Sequence, residues 1–145
     1  DPVVVRYSKQ RHIHHSRESC IAYFNSFEIS ENLFLSVRDL SQDLGIGTMT
    51  AYISSQGDSV DIGIMIGDRS VWGEGKGKDA WRTLVYWFSS QSKISKVTAG
   101  TLSSNKAMIK LMIGVGMVLE DVRPSNDTID GEGQDILYYG LSCDS

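Results

Sequence analysis

A chain of 145 residues, 41% of them hydrophobic and 22% charged, has room for one folded domain with its own core and not for two. Its 14 basic and 18 acidic residues give a net charge of -4, which argues against duplex DNA as the main partner, because that binding rests on neutralising phosphates. No apolar run reaches the length a membrane-spanning helix needs.

The elements follow in chain order. The chain opens on Asp1 with no charged and apolar leader behind it, so no secretory signal is read here. Ser16 can cap a helix over residues 16–27, with Ile21, Phe24 and Phe27 at helical spacing. Leu33, Leu35 and Val37 alternate with Phe34, Ser36 and Arg38, the pattern of a strand over residues 33–39. Two more strands are expected over 46–54 and 60–66, joined by a turn at Gln56-Gly57-Asp58.

The period then changes. Ala80, Trp81, Leu84, Val85, Trp87 and Phe88 form one broad helical face within residues 78–91. A β-branched strand is expected over 96–102. A helix over 105–115 follows, with Gly114 and Gly116 as stop signals. Strands over 117–123 and 135–141 end the chain, separated by a loop holding Asn126, Asp127, Asp130, Gly131, Glu132 and Gly133. An antiparallel meander followed by strand–helix–strand implies a single α+β domain, residues 1–145, with helices covering a mixed, mainly antiparallel sheet.

Charge is unevenly placed. Residues 68–110 carry eight basic and three acidic side chains, +5 for the segment against -9 elsewhere. A locally basic stretch in an acidic chain is either a site for a small polyanion or a solvated helix face. Cys20 and Cys143 are too few for a metal cage and read as buried free thiols in a reducing, cytoplasmic setting. His12, His14 and His15 lack a second ligand group at suitable spacing, so no metal is expected. Trp81, Trp87, Met108 and Met112 read as packing residues.

The stretch that carries chemistry is Trp72-Gly73-Glu74-Gly75-Lys76-Gly77-Lys78, directly after the strand that contains Asp61 to Gly67. Glycines between a strand and a helix let backbone N–H groups approach an anion, and the helix N-terminus adds partial positive charge. The Walker pattern fails because Asp79 follows Gly77-Lys78, and G-x-G-x-x-G fails because Lys78 takes the last glycine position.

These residues resemble the GNAT superfamily of N-acetyltransferases, in particular the branch of the ribosomal-protein N-terminal acetyltransferases. Gly75 and Gly77 match the two small positions of that superfamily's signature, and Trp72 stands where Arg or Gln is usual. Val97-Thr98-Ala99-Gly100-Thr101 with Asn105, Leu111 and Gly116-Met117 resembles the family's fifth strand and next helix. Asp130-Gly131-Glu132 and Asp135 to Tyr139 resemble its closing hairpin. The resemblance places the start of this chain after the family's first strand and helix, which implies a truncated product with an exposed sheet edge.

The resemblance implies acetyl-CoA as cosubstrate and no metal. The backbone of Trp72, Gly73, Glu74, Gly75, Lys76, Gly77 and Lys78 would take the pyrophosphate. Ile64, Met65 and Ile66 would pair with the pantetheine arm like an added strand, and Asn105 would touch it from the next helix. The Met65 amide would face the oxyanion. Asp61 is the candidate general base, where many relatives carry Glu; as a bare strand residue it is equally a solvent-facing carboxylate. The tyrosine that usually protonates the leaving thiolate is replaced by Met112, leaving Tyr52, Tyr138, Tyr139 or water for that role. The implied activity is acetyl transfer to a primary amine, on a protein N-terminus, an amino sugar or a small amine. The alternatives are an acyl-CoA-binding module without catalysis and a folded product without activity. A homodimer is an assembly the resemblance allows; nucleic acid and membrane partners are not expected.

Overall fold

The computed structural model describes residues 1–143. Their regular elements are α1 (Arg17–Asn25), β1 (Leu33–Asp39), β2 (Leu44–Ile53), β3 (Ser59–Ile66), α2 (Lys76–Ser89), β4 (Lys96–Leu102), α3 (Lys106–Gly114), β5 (Val118–Ile129) and β6 (Glu132–Ser142), with two short 3₁₀ turns at Lys9–His12 and Arg69–Val71. The six strands form one sheet in the order β1-β2-β3-β4-β6-β5. Four neighbouring pairs are antiparallel and only β3 with β4 is parallel, so the expected mixed α+β architecture is the one present.

Strand alternation sorts the side chains onto two faces. Met49 and Ala51 of β2, Val60 and Ile62 of β3, and Val97 and Ala99 of β4 point to one face. There they meet Trp81, Leu84, Val85 and Phe88 of α2 and Met112 of α3 in a single buried cluster. Burying each such side chain fully contributes about 1.5–3 kcal/mol. The apolar face predicted for the second helix is therefore its core face, except that Trp87 stands outside it, half exposed, rather than packed as expected. Gly47 lets β2 run close to β3, since a Cβ there would collide with the Met65 carbonyl.

The opposite face is thinly covered. Ser16 caps α1 with its hydroxyl on the Ser19 amide, as its place before the helix predicts, but no residue of α1 is buried. Tyr23 and Phe24 of the helix, with Phe27 just after it, lean on Phe34 with ring centroids 5.4 to 6.0 Å apart. Ile21, expected on the packed stripe, is instead half exposed. Cys20 is exposed on the same helix and Cys143 is partly buried; both are free thiols, which corrects the expectation that both are buried.

The last two strands are longer than the sequence suggests. The polar stretch around Asn126 and Asp127 belongs to β5, and the turn shrinks to Asp130-Gly131, both with positive φ, 51° and 80°. That is the backbone a tight hairpin turn requires. The ladder is irregular between Leu119 and Asp121 and again between Pro124 and Thr128, which accommodates proline on an edge strand.

Candidate functional site

The parallel pair β3–β4 is joined only through Ser59, Asp61 and their intermediate residue, opposite Lys96 to Thr98. Beyond that, Ile62 to Ile66 pair with β2 alone and Ala99 to Leu102 pair with β6 alone. The two strands splay, and their facing backbone edges border a wedge that opens toward their C-terminal ends. Ile64 and Ile66 turn their backbone groups toward that unpaired edge, whereas those of Met65 face β2, where its carbonyl abuts Gly47, which corrects the expectation that the Met65 amide faces the oxyanion. Unpaired backbone groups of this kind accept an extended ligand as an extra strand.

Both helices that follow these strands begin at the mouth of the wedge. Ile66 leads through Asp68, whose carboxylate accepts from the Ser70 amide at 3.0 Å, to the glycine turn. Gly73 and Gly75 both have φ of 81°, and Gly75 is the N-cap of α2 with no side-chain acceptor for the first helical amides. Left-handed backbone at both positions explains why glycines stand there. The amides left free at the helix start are the donors an anion uses. Trp72 donates its indole N–H to the Ile66 carbonyl at 2.9 Å, which closes the turn onto β3.

Lys76, the first residue of α2, points away from this cluster of amides. Its ammonium donates to the Asp39 carboxylate at the end of β1 and lies 3.3 Å from Glu74. Asp39 is almost fully buried and also accepts from the Ser41 amide at 3.0 Å and hydroxyl at 2.7 Å. Lys76 and the Ser41 groups hold the Asp39 carboxyl down to about 2, and Asp39 in turn raises the Lys76 pKa. Among the described residues, Lys78 in the first turn of α2 and Lys106 at the start of α3 have no carboxylate partner. Part of the basic segment seen in the sequence thus stands in the first turns of the two helices.

Asn105 is the N-cap of α3. Its side-chain oxygen accepts from the Met108 amide at 3.3 Å and its NH₂ donates to the Thr101 hydroxyl at 3.0 Å, so both polar groups are already engaged. Gln134, unforeseen from the sequence, anchors the same corner. It is buried, and its carbonyl oxygen accepts from the Ser104 amide at 3.0 Å and the Ser103 hydroxyl at 3.2 Å. The distance of 30 residues between these partners leaves no local signal for it.

The second face of the sheet carries the candidate base. Register sets Tyr52, Asp61 and Thr98 side by side across β2, β3 and β4. The Thr98 hydroxyl donates to Asp61 at 2.8 Å. Asp61 is exposed on the sheet surface, as a solvent-facing strand residue would be; partial desolvation of its carboxyl still pushes its pKa above the usual carboxylate range, and the Thr98 bond partly offsets the shift. Tyr23 of α1 joins the row through a 2.6 Å hydrogen bond between its hydroxyl and that of Tyr52. Burial and this bond push Tyr23 up to about 12. Sequence reasoning missed Tyr23, because only the register of β2 brings Tyr52 under α1.

Of the candidate proton donors, Tyr139 lies in the core, whereas Tyr52 and Tyr138 open to solvent. Met112 is fully buried and contributes packing alone. The histidines do not gather. His12 bonds Asp127 at 2.8 Å, with Arg11 also 3.1 Å from that carboxylate, and His15 bonds the Gln10 carbonyl at 3.1 Å. No group of three or more His, Cys, Asp or Glu able to hold a metal occurs among the described residues, and no helix among them is long and apolar enough to cross a membrane.

Comparison with known proteins places this geometry. The family model for the acetyltransferase (GNAT) domain matches residues 1–118. No curated protein matches the sequence. Among solved structures, the chain is similar to a GNAT-family acetyltransferase from Bacillus anthracis, at 16% identity and a TM-score of 0.79 over 98% of this chain and 82% of the other. It is similar to the ribosomal alpha-N-protein acetyltransferase RimL in complex with coenzyme A, at 14% identity and a TM-score of 0.78 over 94% and 78%. It is also similar to a mutant of the spermidine N-acetyltransferase SpeG from Vibrio cholerae, at 18% identity and a TM-score of 0.76 over 89% and 76%. At these identities the likeness is one of fold.

Proposed function

The chain belongs to the GNAT acetyltransferase family, and from that premise we propose that it moves the acetyl group of acetyl-CoA directly to a primary amine. The observation that carries the reading is the wedge between β3 and β4, with the starts of α2 and α3 at its mouth. The pantetheine arm would lie along Ile64 to Ile66, and the pyrophosphate would sit against the amides of Gly73 to Lys78. RimL, one of the similar structures, is in complex with coenzyme A, which supports this choice of donor.

In this reading the acceptor approaches from the face that carries Tyr52, Asp61 and Thr98. The ammonium loses a proton, and the neutral nitrogen attacks the thioester carbonyl. The tetrahedral oxyanion is held by a β3 amide on the splayed edge, that of Ile64 or Ile66, because the Met65 amide expected for this role lies on the side of the strand that faces β2. The adduct's nitrogen sheds its second proton to water as collapse breaks the C–S bond, and the departing CoA thiolate takes a proton from solvent or from Tyr52 or Tyr138. Asp61 lies three or more residues from either amide, about 10 Å or more at the usual strand rise. Asp61 therefore receives the amine proton through water and not by direct contact. The carboxylate must be ionised to act, so its raised pKa makes activity fall on the acid side at a higher pH than an ordinary aspartate would.

Burial of Met112 favours a second reading, an acyl-CoA-binding module without turnover. Isothermal titration with acetyl-CoA and with CoA, followed by an amine panel, tests both. One-to-one binding that is lost on replacing Gly75 and Gly77 with bulky residues supports the donor site. Acetylated product then separates the enzyme from the module. A folded chain that binds neither compound at millimolar concentration contradicts both readings.

A further inference from the structure

We propose that Asp39 is a positioning residue for the donor, acting through Lys76 to hold the glycine turn in its anion-receiving shape; the proposal rests on the donor site argued above. A carboxylate as buried as Asp39 needs partners, because an unpaired buried charge is costly. Two of its partners, the Ser41 amide and hydroxyl, are local to the turn after β1. The third comes from far away in sequence: Lys76, immediately after the left-handed N-cap Gly75.

The pair ties the end of β1 to the first residue of α2 across the sheet, at the point where Gly73 and Gly75 both hold positive φ. Glycines there give the turn its shape but also leave it free to take others. A side-chain tether at the next residue restricts that freedom. The same pair removes the Lys76 charge from the mouth of the wedge. A phosphate would then meet backbone amides and the unpaired Lys78, and the lysine nearest the turn acts as a strut rather than as a ligand.

The experiment titrates the wild-type chain and the variants Asp39→Asn, Lys76→Met and the double variant with acetyl-CoA and with S-acetyl-pantetheine, which lacks the pyrophosphate. Binding is followed by amide NMR shifts, so that millimolar affinities are also read, and circular dichroism confirms that each variant is folded. Each single variant is expected to weaken acetyl-CoA about tenfold and to leave S-acetyl-pantetheine within about twofold. The double variant is expected to be no weaker than either single one, as for two residues acting through one contact. Folded variants that bind acetyl-CoA as the wild type does, or that lose both compounds equally, overturn the proposal. A wild-type chain that binds no acetyl-CoA overturns the donor reading itself, and the proposal with it.

Discussion

The two faces of the sheet are held by different means. On the face of α2 and α3, Trp81, Val85, Val97 and Met112 are fully buried in one cluster. The backbone that borders the wedge is fixed by the same residues that fold the domain. On the face of α1, no helical residue is buried, and the contacts are half-exposed aromatic rings and one pair of hydroxyls. In the proposed reading donor recognition is thus built on the core, whereas the proposed acceptor face can change its surface without disturbing the fold. That difference explains why one fold serves unlike acceptors.

The contrast breaks most visibly by truncation. Trp81→Ala should cost about 3–5 kcal/mol of stability, the loss typical of a large aromatic removed from a core. Phe24→Ala, on the half-exposed helix, should cost well under half of that; chemical denaturation compares them. Equal losses would mean that α1 is part of the core after all. Next in size, Asp61→Asn should lower turnover about a hundredfold, within the range of a general base. Its thermal midpoint should hardly change, because the raised folded pKa makes the ionised carboxylate oppose folding only weakly at an exposed site that solvent screens. The wild-type pH–rate profile should lose its acid limb in this variant.

Gly75→Val should weaken acetyl-CoA binding about tenfold, since a β-branched residue at positive φ costs about 1–2 kcal/mol. The same change at Gly133, which has open space and ordinary φ, should leave binding unaltered. The smallest effect belongs to the exposed contact between the amino-terminal segment and β5. His12 and Arg11 lower the Asp127 pKa, so the pair contributes stability above the unfolded carboxylate value and loses it as pH falls through the folded one. Asp127→Asn should therefore lower the thermal midpoint slightly at neutral pH and not at all in strong acid.

Much of the fold was legible because local signals and the core agree. The strand over residues 96–102 is present with those bounds, since it pairs with β6 along its whole length and with β3 over its first three residues. The end of the chain was harder. Pro124, Asn126 and Asp127 look like loop residues, yet edge-strand irregularities absorb them, and only Asp130-Gly131 turns. α1 was read correctly as a helix, and Phe24 and Phe27 pack on Phe34 as their spacing suggests, but Ile21 does not and Tyr23 joins them instead. In the site, the glycine turn announced itself through spacing. The Asp39–Lys76 pair and the Gln134 anchor did not, because partners 37 and 30 residues apart meet only after the sheet has formed.

The central claim is that the splayed edges of β3 and β4 receive the donor. Amide hydrogen exchange with and without acetyl-CoA tests it most directly. Slowed exchange is expected at Ile64 and Ile66 on β3 and in the Gly73 to Lys78 turn, with the amides of α1 unchanged. Saturable binding that leaves those two segments exchanging as before, with protection elsewhere, would contradict it.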